Sequence, residues 1–296
     1  MLNSTRQGYL FALSAYVMWG LAPIYFKLIK TVPPTEIIAH RAIWSFVFMG
    51  LLLTITKNWT LVRTTLKTPK KCLLLIITAF LTGTNWLIYI WAVNNDHMLD
   101  ASFGYFITPL MNMLLGYLFL QECFTSRQKV ALFLALCCVL IQLWQLGTFP
   151  LIALGLAFSF GTYGLLRKKI GVDAQSGMLI ETLVLLPVAM MYLFLFANSA
   201  TSNPLTNPSS LNLLLITTGI VTTLPLLCFT AAAIRLPLSV LGFFQYIGPT
   251  LTFILAVTIY GEQASTATLV VFGFIWLALA IFVWDAIERG RRVVKG

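Results

Sequence analysis

The chain has 296 residues, of which 59% are hydrophobic and 9% are charged, and its mean hydropathy is +0.90. Soluble globular proteins carry about 25% charged residues, so this composition excludes a water-soluble globular domain. A net charge of +10 would suggest nucleic acid as the partner of a soluble protein, whereas in a membrane chain it is expected on cytoplasmic loops. We therefore predict an integral membrane protein that resides in the lipid bilayer and has no nucleic-acid partner.

Ten segments are apolar enough to cross a bilayer as helices, for which about 20 residues are needed. In chain order they cover residues 8–29, 36–56, 72–93, 100–120, 130–146, 149–167, 177–197, 211–231, 238–260 and 267–286. The longest polar connections, residues 57–71 and 198–210, are too short for a soluble domain. The predicted fold class is an all-α integral membrane protein with ten transmembrane helices.

The distribution of positive charge predicts the orientation of these helices. With the N-terminus inside, sixteen of the 19 Lys and Arg residues fall on the cytoplasmic side, and the outer connection 198–210 carries none. Cytoplasmic loops are enriched in Lys and Arg, so both termini are expected in the cytoplasm.

Two stretches of the chain repeat each other at an offset of 140 residues. An Ile-X-Pro motif after an aromatic cluster ends at Pro109 and again at Pro249, and Glu122 and Glu262 follow at the same spacing. Because each half has five spans, the second half must enter from the opposite side. The chain is therefore predicted to be a 5+5 inverted-topology repeat, with halves 1–147 and 148–296 forming one transport unit, and substrate sites usually lie between such repeats.

Charged residues within the predicted spans are rare, and two of them are adjacent. Arg41 can hold a carboxylate through two parallel hydrogen bonds, which makes it a candidate substrate-binding residue. His40 ionises near neutral pH and is the candidate for proton coupling. The alternative interpretation is interface chemistry, in which Arg41 reaches the headgroups or pairs with Glu36.

Polar and aromatic side chains on spans three, four and nine define a second group of candidates. The substrate-binding candidates in this group are Asn85, Tyr89, Tyr105, Asn112, Gln245 and Tyr246. An amide within the membrane needs a partner, which is either a substrate or a neighbouring helix. Hydrogen bonding between helices therefore stays open as the alternative for Asn85, Asn112 and Gln245.

The repeated prolines are candidate hinges, because a proline inside a helix removes a backbone donor and can kink it. Pro109 and Pro249 occupy equivalent positions, although a fixed kink for packing explains them equally well. The sequence has no nucleotide-binding loop of the G-x-x-x-x-G-K type, no metal-ligand cluster and no catalytic triad. We therefore expect neither a cofactor nor a metal, and no enzymatic activity.

Several of these segments resemble EamA-type carriers of the drug/metabolite transporter superfamily, and within them the RarD-type permeases linked to chloramphenicol sensitivity. The residues that carry the resemblance are Trp19, Gly20, Pro23, Glu36, His40, Arg41, Asn85, Trp86, Tyr89, Tyr105, Pro109, Asn112, Gly242, Phe243, Phe244, Gln245, Tyr246 and Pro249. The resemblance implies a bacterial inner-membrane secondary transporter with a central cavity lined mainly by spans three, four, eight and nine.

Together these patterns predict alternating access around a cavity for amino acids or related small metabolites, which the family resemblance suggests are exported, with a proton as the coupling ion. One alternative is a multidrug or chloramphenicol-like permease using the same aromatic cavity. Another is a membrane protein that transports nothing and serves as an assembly partner or sensor. The sequence predicts no particular oligomeric state.

Overall fold

The computed structural model describes residues 2–95, 97–146, 149–261, 263 and 266–295, and within them every regular element is a helix. The helices are α1 Leu2–Leu28, α2 Pro34–Thr56, α3 Trp59–Leu66, α4 Pro69–Asn94, α5 Met98–Leu120, α6 Ser126–Leu146, α7 Leu151–Ile170, α8 Ala174–Leu195, α9 Ser209–Ala233, α10 Leu238–Gln245, α11 Ile247–Thr258 and α12 Thr266–Lys295. The predicted boundary between the halves, at residues 147–148, and Glu262 lie outside the described residues.

Nine helical segments in the described part of the chain are long and apolar enough to cross a membrane. They are α1, α2, α4, α5, α6, α8, α9, the pair α10–α11, and α12. The prediction of ten spans is thus confirmed for nine. The remaining predicted span, residues 149–167, is helix α7, whose last turn carries Arg167, Lys168 and Lys169 and is correspondingly less apolar.

Helix α3 occupies the connection 57–71, which the sequence pattern treats only as a polar loop. It is short and amphipathic, with Val62 buried and Arg63 exposed. The side chain of Asn58 donates a hydrogen bond of 2.8 Å to Gln175 Oε1 at the start of α8. The connection is therefore a helix docked against α8.

The ninth predicted span is broken, and the break lies beside a proline. Helix α10 ends at Gln245 and α11 begins at Ile247, so Pro249 falls in the first turn of α11. Proline is tolerated there because the amide it lacks has no partner within the helix. In the other half, Pro109 lies inside α5, which continues without interruption. The two prolines, predicted to be equivalent, therefore occupy different backbone settings.

Helices α2 and α9 pack against each other with their backbones in close contact. Gly219 of α9 faces Trp44 and Ser45 of α2, and a Cβ at Gly219 would overlap the Trp44 backbone. The Ser45 hydroxyl also donates a hydrogen bond of 3.3 Å to the Gly219 carbonyl. Small residues allow such approach between membrane helices. This contact, with α1 against α9 and α4 against α7 and α8, holds the helices that surround the site.

Candidate functional site

Arg41 lies two turns into α2, at the end of the bundle where α1 ends and α2 begins. Its Nε donates a hydrogen bond of 2.8 Å to the Thr222 hydroxyl of α9. The guanidinium carbon lies 4.5 Å from the Trp86 ring centroid and 5.5 Å from that of Phe26, distances at which a cation is attracted to an aromatic face. Four helices converge here, and the Thr222 bond does not use the two terminal nitrogens that grip a carboxylate.

Two tyrosines complete this site. The rings of Tyr89 and Tyr105 lie 6.5 Å apart in an edge-on arrangement, and both hydroxyls interact electrostatically with the Arg41 guanidinium. The side chain of Tyr105 is 49% exposed. We call the cluster formed by Phe26, Arg41, Trp86, Tyr89, Tyr105 and Thr222 the Arg41 chamber.

Asn85 lies one turn before Tyr89 on α4, but its amide is engaged with another helix. The amide nitrogen donates to the Ser159 hydroxyl at 2.9 Å and to the Leu156 carbonyl at 3.0 Å, both on α7. This geometry is the hydrogen bonding between helices that the sequence left open for this residue. Asn85 therefore positions α4, the helix that carries two chamber residues.

Asn112 and Gln245 are bonded to each other in the protein core. The Asn112 amide nitrogen donates to Gln245 Oε1 at 2.8 Å and joins α5 to α10. Asn112 is fully buried, and its Oδ1 has no hydrogen-bond partner within the described residues. That oxygen faces Gly161 and Gly164 of α7, which bring no side chain towards it. The pair thus lies away from the Arg41 chamber and retains one free acceptor.

Tyr246, another substrate-binding candidate, is packed inside the core. It is fully buried, and its hydroxyl donates to the Phe106 carbonyl of α5 at 3.3 Å. Its ring belongs to an apolar cluster that includes Phe272 of α12. The structure therefore places Tyr246 at a contact between helices and not on the wall of the chamber.

His40 is half-buried next to Arg41, and its Nδ1 is buried without a hydrogen-bond partner in the described part of the chain. Glu36 lies one turn earlier on α2 and interacts electrostatically with this imidazole. The Glu36 carboxylate is itself buried and accepts a hydrogen bond of 3.0 Å from Thr201. A carboxylate and a titratable ring therefore adjoin the chamber.

A buried ion pair, which sequence reasoning missed, lies towards the other end of α4. Arg167 Nη1 is 3.5 Å from Glu181 Oε1, and the two side chains are 0% and 5% exposed. Glu181 also accepts hydrogen bonds from the hydroxyls of Thr78, at 2.6 Å, and Tyr163, at 3.4 Å. In the sequence Arg167 looks like one of three cytoplasmic loop charges. The 140-residue offset, which pairs Lys27 with Arg167 and Arg41 with Glu181, is the signal that could have found this pair.

Comparisons with known proteins agree with this architecture. Residues 6–144 match the EamA-like transporter family. Protein RarD of Escherichia coli (strain K12) is 62% identical over 293 residues, covering 99% of this chain and 99% of that protein. An uncharacterized transporter of Vibrio cholerae serotype O1 is 53% identical over 288 residues, covering 97% and 95%. One crystal structure shares the fold with a TM-score of 0.73 at 16% identity, covering 93% of this chain and 96% of the other.

The helices and these relatives define a multi-span membrane protein of a transporter class. The chain belongs to the EamA-like transporter family, and within it to the RarD proteins.

Proposed function

We propose that this protein is a secondary transporter of the bacterial inner membrane that exports amino acids or related small metabolites by alternating access. The observation that carries this proposal is the Arg41 chamber, where a cation lies among aromatic rings and its two terminal nitrogens have no hydrogen-bond partner among the described residues. Such a site can bind a carboxylate and an adjoining apolar group together. Direction of transport follows from the family resemblance.

The packing of the helices supports a 5+5 inverted repeat with halves 1–147 and 148–296. If α1, α2, α4, α5 and α6 correspond to α7, α8, α9, α10–α11 and α12, contacts should recur when the halves are exchanged. The contact of α4 with α7 is matched by that of α9 with α1, and α5 with α7 by α11 with α1. The contact of α2 with α9 is matched by α8 with α4, while α2–α8, α5–α10 and α6–α12 join each helix to its counterpart.

The chamber gives the first prediction, which concerns ligand binding by Arg41. In a thermal-shift screen of the purified protein, one class of amino acids should raise the melting temperature by mass action. Arg41→Ala should lower affinity about 10- to 100-fold, because hydrogen bonds to a charged group contribute about 1.5–3 kcal/mol. Lys27→Ala is the control, since that exposed cation near the same end stacks on Tyr260 and is not part of the chamber. If the ligand raises the melting temperature equally in Arg41→Ala and in the unaltered protein, Arg41 is not part of the binding site.

The aromatic walls of the chamber favour a second candidate, a permease for neutral drugs of the chloramphenicol type. Trp86, Tyr89 and Tyr105 offer ring faces that bind planar solutes without a carboxylate. Stabilisation by drugs alone, unaffected by Arg41→Ala, would favour this function. A folded protein that moves no solute in liposomes would instead favour an assembly partner or sensor.

A second prediction concerns His40 as the proton-coupling residue at the α1–α2 end, which the positive-inside distribution places outside. His40→Ala should abolish the dependence of solute flux on external pH, because the substitution removes the imidazole that binds the proton. The measurement is uptake by oriented proteoliposomes with internal pH held constant. His97→Ala is the matched control, because His97 is exposed at the same end. A pH dependence that persists in folded His40→Ala protein would exclude His40 from coupling.

A further inference from the structure

We propose that Glu181 is a proton-binding site, and that its ion pair with Arg167 closes the end of the bundle opposite the Arg41 chamber until Glu181 is protonated. The inference rests on the alternating-access function proposed above. It assigns a role to a buried charged cluster that the chamber does not use.

The position of the cluster along α4 sets it apart from the chamber. Thr78, which donates to Glu181, precedes Tyr89 of the chamber by eleven residues on the same helix. At 1.5 Å per residue the two positions are about 16 Å apart along the helix axis. The Arg167–Glu181 pair also joins the last turn of α7 to α8, so one cluster ties α4, α7 and α8 together.

The surroundings of the pair are built to hold it. A Cβ at Gly177, one turn before Glu181, would overlap the Arg167 guanidinium, so glycine leaves the space that the cation fills. The Tyr163 hydroxyl, which donates to Glu181, also lies 3.4 Å from the Thr230 hydroxyl of α9. The cluster therefore bridges a helix of the first half with three helices of the second.

The guanidinium of this pair nevertheless lacks hydrogen bonds among the described residues, which points to a functional role more than to a stabilising one. Arg167 is fully buried, yet its Nε, Nη1 and Nη2 have no hydrogen-bond partner within the described residues. Buried ion pairs recover the cost of desolvation only when additional hydrogen bonds satisfy them. Ionisable residues at membrane depth are functional candidates, and a carboxylate in this position can exchange a proton.

The groups that face Glu181 are few. Within the described residues they are Arg167 and Tyr163 from α7 and the Thr78 hydroxyl from α4, while the Thr230 hydroxyl of α9 contacts Tyr163. The sides of α2 and α3 packed in the same core are apolar at Met49, Leu53 and Val62. On α8 itself, the Asp173 carboxylate is used at the helix start, where it accepts from the amides of Gln175 and Ser176. Glu181 is thus the carboxylate on which closure of this end through the ion pair depends.

The 140-residue offset relates the Arg167–Glu181 pair to two cations at the other end of the bundle. Glu181 stands 140 residues after Arg41, and Arg167 stands 140 residues after Lys27. One end of the bundle therefore has cations alone at these positions, whereas the other has a cation neutralised by a carboxylate. Protonation of Glu181 leaves a lone cation at the second end too, and the attraction that holds α7 and α8 together there is lost.

The experiment measures the opening of this end with protons as the only ligand. Spin labels at Lys71→Cys on α4 and Lys169→Cys on α7, both exposed positions, report the distance in full-length protein whose five native cysteines are replaced. Lowering the pH from about 8 to about 5 should convert a short distance into a longer one, because protonation of Glu181 removes the charge that attracts Arg167. Glu181→Gln, which retains the hydrogen-bonding shape, should give the longer distance at both pH values.

The matched control is Asp285→Asn on α12, which alters another buried carboxylate that also accepts a hydrogen bond from a threonine, Thr125, but lies outside the cluster. It should keep the response of the unaltered protein. Should Glu181→Gln fail to fold, Thr78→Val serves in its place and should move the opening midpoint to higher pH, because it removes a donor to the carboxylate. An unchanged midpoint in Thr78→Val, a normal response in Glu181→Gln, or no pH response in the unaltered protein would overturn the proposal.

These outcomes are separable from a failure of the proposed function. A pH-dependent distance that Glu181→Gln abolishes, in a protein that binds and moves no solute, would support the proton site and refute transport. Solute flux that ignores the pH on the α7–α8 side, with an unchanging distance, would support transport and refute the proton site.

Discussion

Replacing Arg167 by alanine should lower the free energy of unfolding by about 3–5 kcal/mol, because it leaves the Glu181 carboxylate buried without its counter-charge. The side chains are 0% and 5% exposed, so water cannot take the place of the guanidinium without a rearrangement of α7 and α8. The double substitution Arg167→Leu with Glu181→Leu should be far milder, since a well-packed apolar pair often equals or exceeds a buried ion pair in stability. Denaturation in mixed micelles, followed by circular dichroism, measures both.

The control for this prediction is Arg63→Ala, which removes an exposed cation from α3 and should leave stability unchanged. Equal losses in the single and double variants would mean that the side-chain stems, and not the charges, stabilise this region. A double variant as stable as the unaltered protein but without a pH response would separate the ionic role of the pair from its packing.

Gly219→Ala should be strongly destabilising, because it adds a methyl group where two helix backbones are in close contact. The added Cβ would lie 2.7 Å from the Ser45 amide nitrogen and closer still to the Trp44 backbone, and neither can move like a flexible side chain. Overpacking typically costs about 1–3 kcal/mol, and backbone overlap places this site at the upper end of that range. Thermal unfolding should show the loss directly.

Two other glycines provide matched controls for that substitution. Gly50 of α2 and Gly273 of α12 have no atom within 4 Å of a built Cβ. Alanine at either position should raise stability by about 0.5–1 kcal/mol, because glycine loses more backbone entropy in a helix. A tolerated Gly219→Ala would mean that α2 and α9 separate easily at this point, and their close contact would then not hold the chamber.

The length and the polarity of segments predicted most of the helices. Runs of about 20 apolar residues predicted the nine spans found in the described part of the chain, because a helix that crosses lipid must satisfy its own backbone and expose apolar side chains. Helix α3 was not predicted, because its eight residues are too few for the pattern of a membrane span and its buried face depends on contact with α8. The break at Tyr246 was foreseen only as a kink near Pro249, since proline limits where a helix can begin but does not fix where the preceding one ends.

The site was only partly predictable, for a different reason. Arg41, Tyr89 and Tyr105 lie at the same end because α2 begins, α4 ends and α5 begins there, and this order of spans is readable from sequence. Whether an amide faces a cavity or another helix depends on its tertiary partner. Asn85 is hydrogen bonded to Ser159, and Asn112 is hydrogen bonded to Gln245. The burial of Arg167 was not predicted, because basic residues at a helix end ordinarily extend towards water and nothing local signals that one is enclosed.

The opposite charges of Arg41 and Glu181 affect which of two end-state conformations the protein prefers. A chain with two identical halves would carry the same residue at both positions, and its two end-states would have equal free energies by symmetry. If the proposed repeat holds, this equivalence is broken at a pair of positions where an ionisable group contacts a threonine of another helix, Thr222 for Arg41 and Thr78 for Glu181. Under the two proposals, a duplicated fold would thereby have a bias towards closure at one end.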